Sequence, residues 1–122
     1  GKSVAAHSDP HLFKMAASIS GKGDLMVGIS QTGETQEVIE TLKNARSRGA
    51  STIVITNNDN TEVTKYADYI LVNGFNEVLS ETGSFSERIS QLFIIELLYL
   101  GVLSKNKDKA LELKNLTIKA VT

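Results

Sequence analysis

Residues 25–56 read LMVGISQTGETQEVIETLKNARSRGASTIVIT, from Leu25 to Thr56, and the fold is decided within them. Leu25–Ser30 is a short, nearly continuous apolar run, as expected of a strand covered on both faces in a parallel sheet. Glu34–Arg48 is predicted to be a helix: Val38, Ile39, Leu42 and Ala45 form one apolar stripe. Acids occupy its first turn, Lys43, Arg46 and Arg48 its end, and Gly49 its stop. Thr52–Thr56 is a second buried strand. Strand, helix and strand in this order make a parallel crossover unit, and the class is α/β.

The same alternation continues outward. Ser3–His7 is read as a strand, and Asp9-Pro10 as the start of a helix, with Asp as N-cap and Pro at the first helical position. Leu12, Met15, Ala16 and Ile19 follow at helical spacing until Gly21 and Gly23. Thr61–Tyr66 reads as a short helix and Tyr69–Val72 as a further strand. Ser84–Leu103 is helical in period but apolar on nearly every side, so it must be buried inside the domain or between subunits. Glu96 within it is then a charge in need of solvent or a partner. Lys107–Val121 is a second amphipathic helix.

Composition narrows the classes of function. The 122 residues suffice for one core, and residues 1–122 are read as a single domain. Lys and Arg total 13 against 14 Asp and Glu, a net charge of −1, which argues against a nucleic-acid surface. Without Cys there is neither a disulfide framework nor a thiolate metal site. Glu96 interrupts the longest apolar run, Leu92–Leu103, which is too short and polar to span a bilayer. No charged-then-apolar leader opens the sequence, so a cytoplasmic location is expected. His7, Asp9 and His11 alternate as ligands on a strand would, but Pro10 and the helix start break that geometry, and no metal is expected.

The chemistry is carried by Gly28 to Thr35, which leave the carboxyl end of a buried strand and enter a helix, where open α/β sheets bind ligands. Backbone N–H groups at a helix start favour an anion. Ser30, Thr32 and Thr35 add hydroxyls, Gln31 an amide, and Gly33 a close backbone approach, a set suited to a phosphate monoester. The loop has no Walker ending and no G-x-G-x-x-G pattern, so a nucleotide reading is weak. The bland alternative is that Thr32 caps the helix and Gly33 eases a turn. Glu34 and Glu37 must point away for a phosphate to bind.

Ser30-Gln31-Thr32-Gly33-Glu34-Thr35 resembles the S-x-S/T-G-x-T phosphosugar loop of the SIS (sugar isomerase) domain family. Thr56 to Asp68 is similar to that family's strand-end Thr, polar loop and helix closing on Ala-Asp. Asp9-Pro10-His11 and Ser84 to Leu92 look like the SIS domain of RpiR-type transcription regulators. The resemblance implies a three-layer α-β-α sandwich with a mostly parallel sheet in flavodoxin-like order, 2-1-3-4-5. It implies a phosphosugar site at Ser30, Gln31, Thr32, Gly33, Glu34 and Thr35, no cofactor, a homodimer or tetramer, and DNA contact only through a domain absent from this chain. Glu87 departs from the small polar residue that the regulators carry there. The family's first strand and its Gly-x-Gly-x-Ser loop have no counterpart, so the chain is expected to be N-terminally truncated and to begin at the second strand.

Three functions fit these features. The first is an effector-sensing module that binds a sugar phosphate. The second is a phosphosugar isomerase, which needs a general base. Glu77, Glu81 and Glu87 are candidates, and nothing in their spacing separates a catalytic Glu from an ordinary one, so no catalytic residue is assigned. The third is a structural or dimerisation fragment.

Overall fold

The computed structural model describes residues 2–74 and 85–122. Helix α1 spans Pro10–Ile19, and the Asp9 carboxylate accepts from the N–H groups of His11 and Leu12, as the Asp-Pro pair predicts. Strand β1 (Leu25–Ile29) leads to α2 (Gln36–Ser47), then to β2 (Ser51–Thr56). A 3₁₀ helix, Glu62–Tyr66, precedes β3 (Tyr69–Val72). Helices α3 (Phe85–Lys105) and α4 (Lys107–Val121) follow.

The sheet is parallel throughout, in the order β1-β2-β3. Register aligns Gly28, Val54 and Ile70, and the pleat turns Gly28 and Val54, with Met26, toward α2. A Cβ on Gly28 would lie 2.9 Å from Val38 and 3.1 Å from Leu42, so the missing side chain is what lets α2 lie close to β1. Ile39, Leu42, Val54 and Val63 form the core of this layer. Ala17, Ala45 and Ala50 form a second cluster where small side chains let α1 approach α2. Lys14 Nζ meets Glu40 Oε2 at 2.7 Å across the same pair, and that hydrogen bond holds the ammonium above its ordinary pKa.

Asp68 ties the end of the 3₁₀ helix to β2. Its carboxylate accepts from the Thr52 N–H at 2.8 Å and lies 3.5 Å from Arg46, whose guanidinium also donates to the Lys65 carbonyl. Thr52 is fully buried. Asp68→Ala strands its amide and is expected to cost about 1–3 kcal/mol, read as a lower urea midpoint. Asp68→Asn keeps an acceptor and should recover most of that loss.

Two expectations need correction. Ser3–His7 is not a strand: residues 2–7 take no regular structure, and Val4 is 88% exposed. A strand needs a ladder partner, and among the described residues β1 pairs only with β2. Helix α2 begins at Gln36 rather than Glu34, because Gly33 at φ +73° and Thr35 in extended backbone precede it. Of the two covers expected for helix α3, the interior of the domain is not the one observed. Ile94, Leu97 and Leu98 face Ile70, Leu71 and Val72 of β3 across a cleft, while Leu92 and Phe93 are more than 60% exposed. Glu96 is exposed as well. No single described helix is long and apolar enough to cross a membrane.

Candidate functional site

The turn from β1 to α2 starts at Ser30, which is 3% exposed. Its Oγ accepts from the Gly33 N–H at 3.1 Å and shares a hydrogen bond with Thr35 Oγ1 at 2.8 Å. Whichever hydroxyl donates within that pair, one proton remains for a ligand. Thr35 is the N-cap of α2, yet its side chain makes no capping bond. No described residue accepts from the N–H groups of Gln36 and Glu37, so the positive end of the helix stays available.

Gly33 sits against the 3₁₀ helix. Its carbonyl accepts from the Val63 N–H at 3.1 Å, and a Cβ there would overlap Oγ1 and Cβ of Thr61. Glu34 turns the same way: its Oε1 accepts from the Glu62 N–H at 3.3 Å, which removes the acid from the mouth of the loop. The charge of Glu37 acts on Lys14 of α1. Thr32 Oγ1 accepts from the Glu34 N–H and does not cap α2.

Gln31 points inward. Its Oε1 accepts from Asn73 Nδ2 at 2.7 Å, at the end of β3, and from Gln91 Nε2 at 3.0 Å, on α3. This bond carries α3 to the loop. The result is a cleft of about 310 Å³ lined by Ile29, Ser30, Gln31 and Thr35 on one side and Glu87, Arg88 and Gln91 on the other.

Of the six residues predicted from sequence, Ser30, Gln31 and Thr35 thus line the cleft, while Thr32, Gly33 and Glu34 shape the turn behind it. Arg88 and Gln91 carried no assignment in the sequence reading. Their signal was the spacing of three on a helix, which puts both on one face, and only the docking of α3 gives that face an address. Glu87 lines the cleft, whereas Glu77, Glu81 and Ser84 lie outside the described residues. The arrangement offers an anion a hydroxyl proton, free helix amides and a guanidinium, with amides and a carboxylate beside them.

Comparison with known proteins gives the family of the fold. The family model of the SIS domain matches residues 1–101. An HTH-type transcriptional regulator of Haemophilus influenzae is 32% identical over 99% of this chain, which spans 42% of that protein's length. The HTH-type transcriptional regulator RpiR of Escherichia coli is 29% identical over 90% of the chain and 37% of its own length. Among solved structures, Vibrio vulnificus NanR complexed with ManNAc-6P superposes with a TM-score of 0.77 at 28% identity, covering 86% of this chain and 40% of NanR.

Proposed function

Because the chain belongs to the SIS domain family and its relatives include RpiR-type regulators, we propose that it is a single phosphosugar-binding domain that senses a sugar phosphate for such a regulator. The cleft carries this reading. It joins the Ser30–Thr35 hydroxyl pair and the uncapped start of α2 to the guanidinium of Arg88. The phosphate takes the Thr35 hydroxyl, the first N–H groups of α2 and Arg88. Gln31, Gln91 and Glu87 face the sugar.

NanR, the structural relative, is described in complex with ManNAc-6P, which supports a hexose phosphate as the ligand class here. In the longer protein, DNA contact belongs to a separate domain. The exposed apolar side chains of α3 are then the contact between copies in a homodimer or tetramer. Coupling arises if the ligand binds two such assemblies with different affinity.

Thermal unfolding against hexose phosphates, their parent sugars and inorganic phosphate tests this function. A ligand at about 100 times its Kd adds about 2.7 kcal/mol to the folded state, enough to raise the melting temperature by several degrees. The rise should appear with a hexose phosphate and not with its parent sugar, and should vanish in Thr35→Ala. A cooperative melt indifferent to the whole panel rejects phosphosugar binding. Turnover of fructose 6-phosphate by the same protein would move the reading to an isomerase, with Glu87 as the described carboxylate in reach.

A further inference from the structure

We infer that Gln31 and Asn73 together read one hydroxyl group of the ligand, which makes this amide pair the specificity determinant of the phosphosugar site proposed above, on which the inference rests. The two side chains are bonded to each other through Gln31 Oε1 and Asn73 Nδ2 at 2.7 Å. The opposite ends of both amides, Gln31 Nε2 and Asn73 Oδ1, are buried and have no hydrogen-bond partner. Buried polar atoms are ordinarily paired, and leaving one unpaired costs free energy, so two on a single bonded pair mark a place meant for a further group.

The chemistry of that group follows from the pair. One free end is a donor and the other an acceptor. Reversing both amides, together with that of Gln91, exchanges the two roles and leaves the same combination. A group that satisfies both must accept one hydrogen bond and donate another. A phosphate oxygen or an ether oxygen only accepts, and an ammonium only donates. A hydroxyl does both.

Position supports the ligand as the source of that hydroxyl. Gln31 lines the same cleft as Ser30 and Thr35, and follows Ser30 directly in the chain. A phosphate anchored at the loop therefore leaves its carbon frame beside Gln31, with Asn73 one hydrogen bond behind it. The pair is also held in place: Gln91 donates to Gln31 Oε1 at 3.0 Å, and Ser90 Oγ donates to the Asn73 carbonyl at 2.5 Å. A resident water has the same donor–acceptor chemistry as an alcohol, and binding measurements separate the two.

The test is calorimetric titration of glucose 6-phosphate, fructose 6-phosphate, N-acetylmannosamine 6-phosphate and inorganic phosphate into the wild type, Asn73→Leu and Thr35→Ala. Asn73→Leu should weaken the best-bound hexose phosphate about tenfold and leave inorganic phosphate unchanged, because one neutral hydrogen bond to the sugar is lost. Thr35→Ala should weaken both. Unchanged hexose phosphate affinity in Asn73→Leu, with or without a lower melting temperature, assigns the amides to a resident water and overturns the inference, while the phosphosugar reading stands. Parallel loss of hexose phosphate and inorganic phosphate also overturns it, since Asn73 then merely props the loop. If the wild type binds no hexose phosphate, the phosphosugar reading falls and this inference with it. Should Asn73→Leu fail to fold, Asn73→Ser supports the same comparison with a smaller, polar side chain.

Discussion

Gly33→Ala is expected to lower stability by about 2–4 kcal/mol and to abolish sugar phosphate binding. Two costs add. The residue sits at φ +73°, a left-handed conformation that disfavours any Cβ. The added methyl also runs into Thr61, in the turn whose Val63 N–H holds the Gly33 carbonyl. Relief requires the loop to lift away from the 3₁₀ helix. The Ser30–Thr35 pair would then be lost, since Ser30 Oγ also receives the Gly33 N–H. Urea denaturation of Gly33→Ala, Thr61→Gly and the double variant separates the two costs. The second substitution removes the three atoms nearest the methyl, so the double variant should regain most of the steric part and keep the conformational one. Full recovery would show that backbone conformation contributes nothing here.

The second large effect is on affinity alone. Arg88 lies at the exposed rim of the cleft and makes no bond that the fold depends on among the described residues. Arg88→Ala should leave the melting temperature of the unliganded protein unchanged and weaken a hexose phosphate by about 10- to 100-fold, the range for a hydrogen bond to a charged group. Arg88→Glu should weaken it further, as repulsion is added. An exposed guanidinium is also screened, so wild-type affinity should fall with added salt and the Arg88→Ala affinity should fall less steeply. Titration calorimetry at two ionic strengths reads both slopes. Equal affinities in wild type and Arg88→Glu would remove Arg88 from the site.

Much of this architecture was legible because its causes are local. The Asp9-Pro10 pair states a helix start through groups within one turn, and the predicted cap is the one observed. The strands at Leu25, Thr52 and Tyr69 announce themselves by apolar runs of strand length. The loop proposed to take the phosphate was visible as a strand end, a cluster of hydroxyls and a helix. What could not be read was direction. Nothing local tells Gln31 to turn inward and Glu34 to turn toward Glu62, since their partners lie 42 and 28 residues away in sequence. Arg88 and Gln91 reach the cleft only through the docking of α3, which their own helix does not encode. Ser3–His7 failed for the related reason that β-propensity makes no strand without a neighbour. The apolar period of α3 showed that it wants cover, not which surface supplies it.

Thr35 has one further consequence. It stands where a hydroxyl ordinarily seals the first turn of a helix, worth about 0.5–2 kcal/mol, and its hydroxyl is engaged with Ser30 instead. An Asp here would close the turn and make the helix sturdier, while placing a permanent rival to phosphate over the same amides. Heat resistance and the proposed response to a ligand therefore compete for a single residue. Selection for a tougher protein, blind to its ligand, would begin by erasing the site.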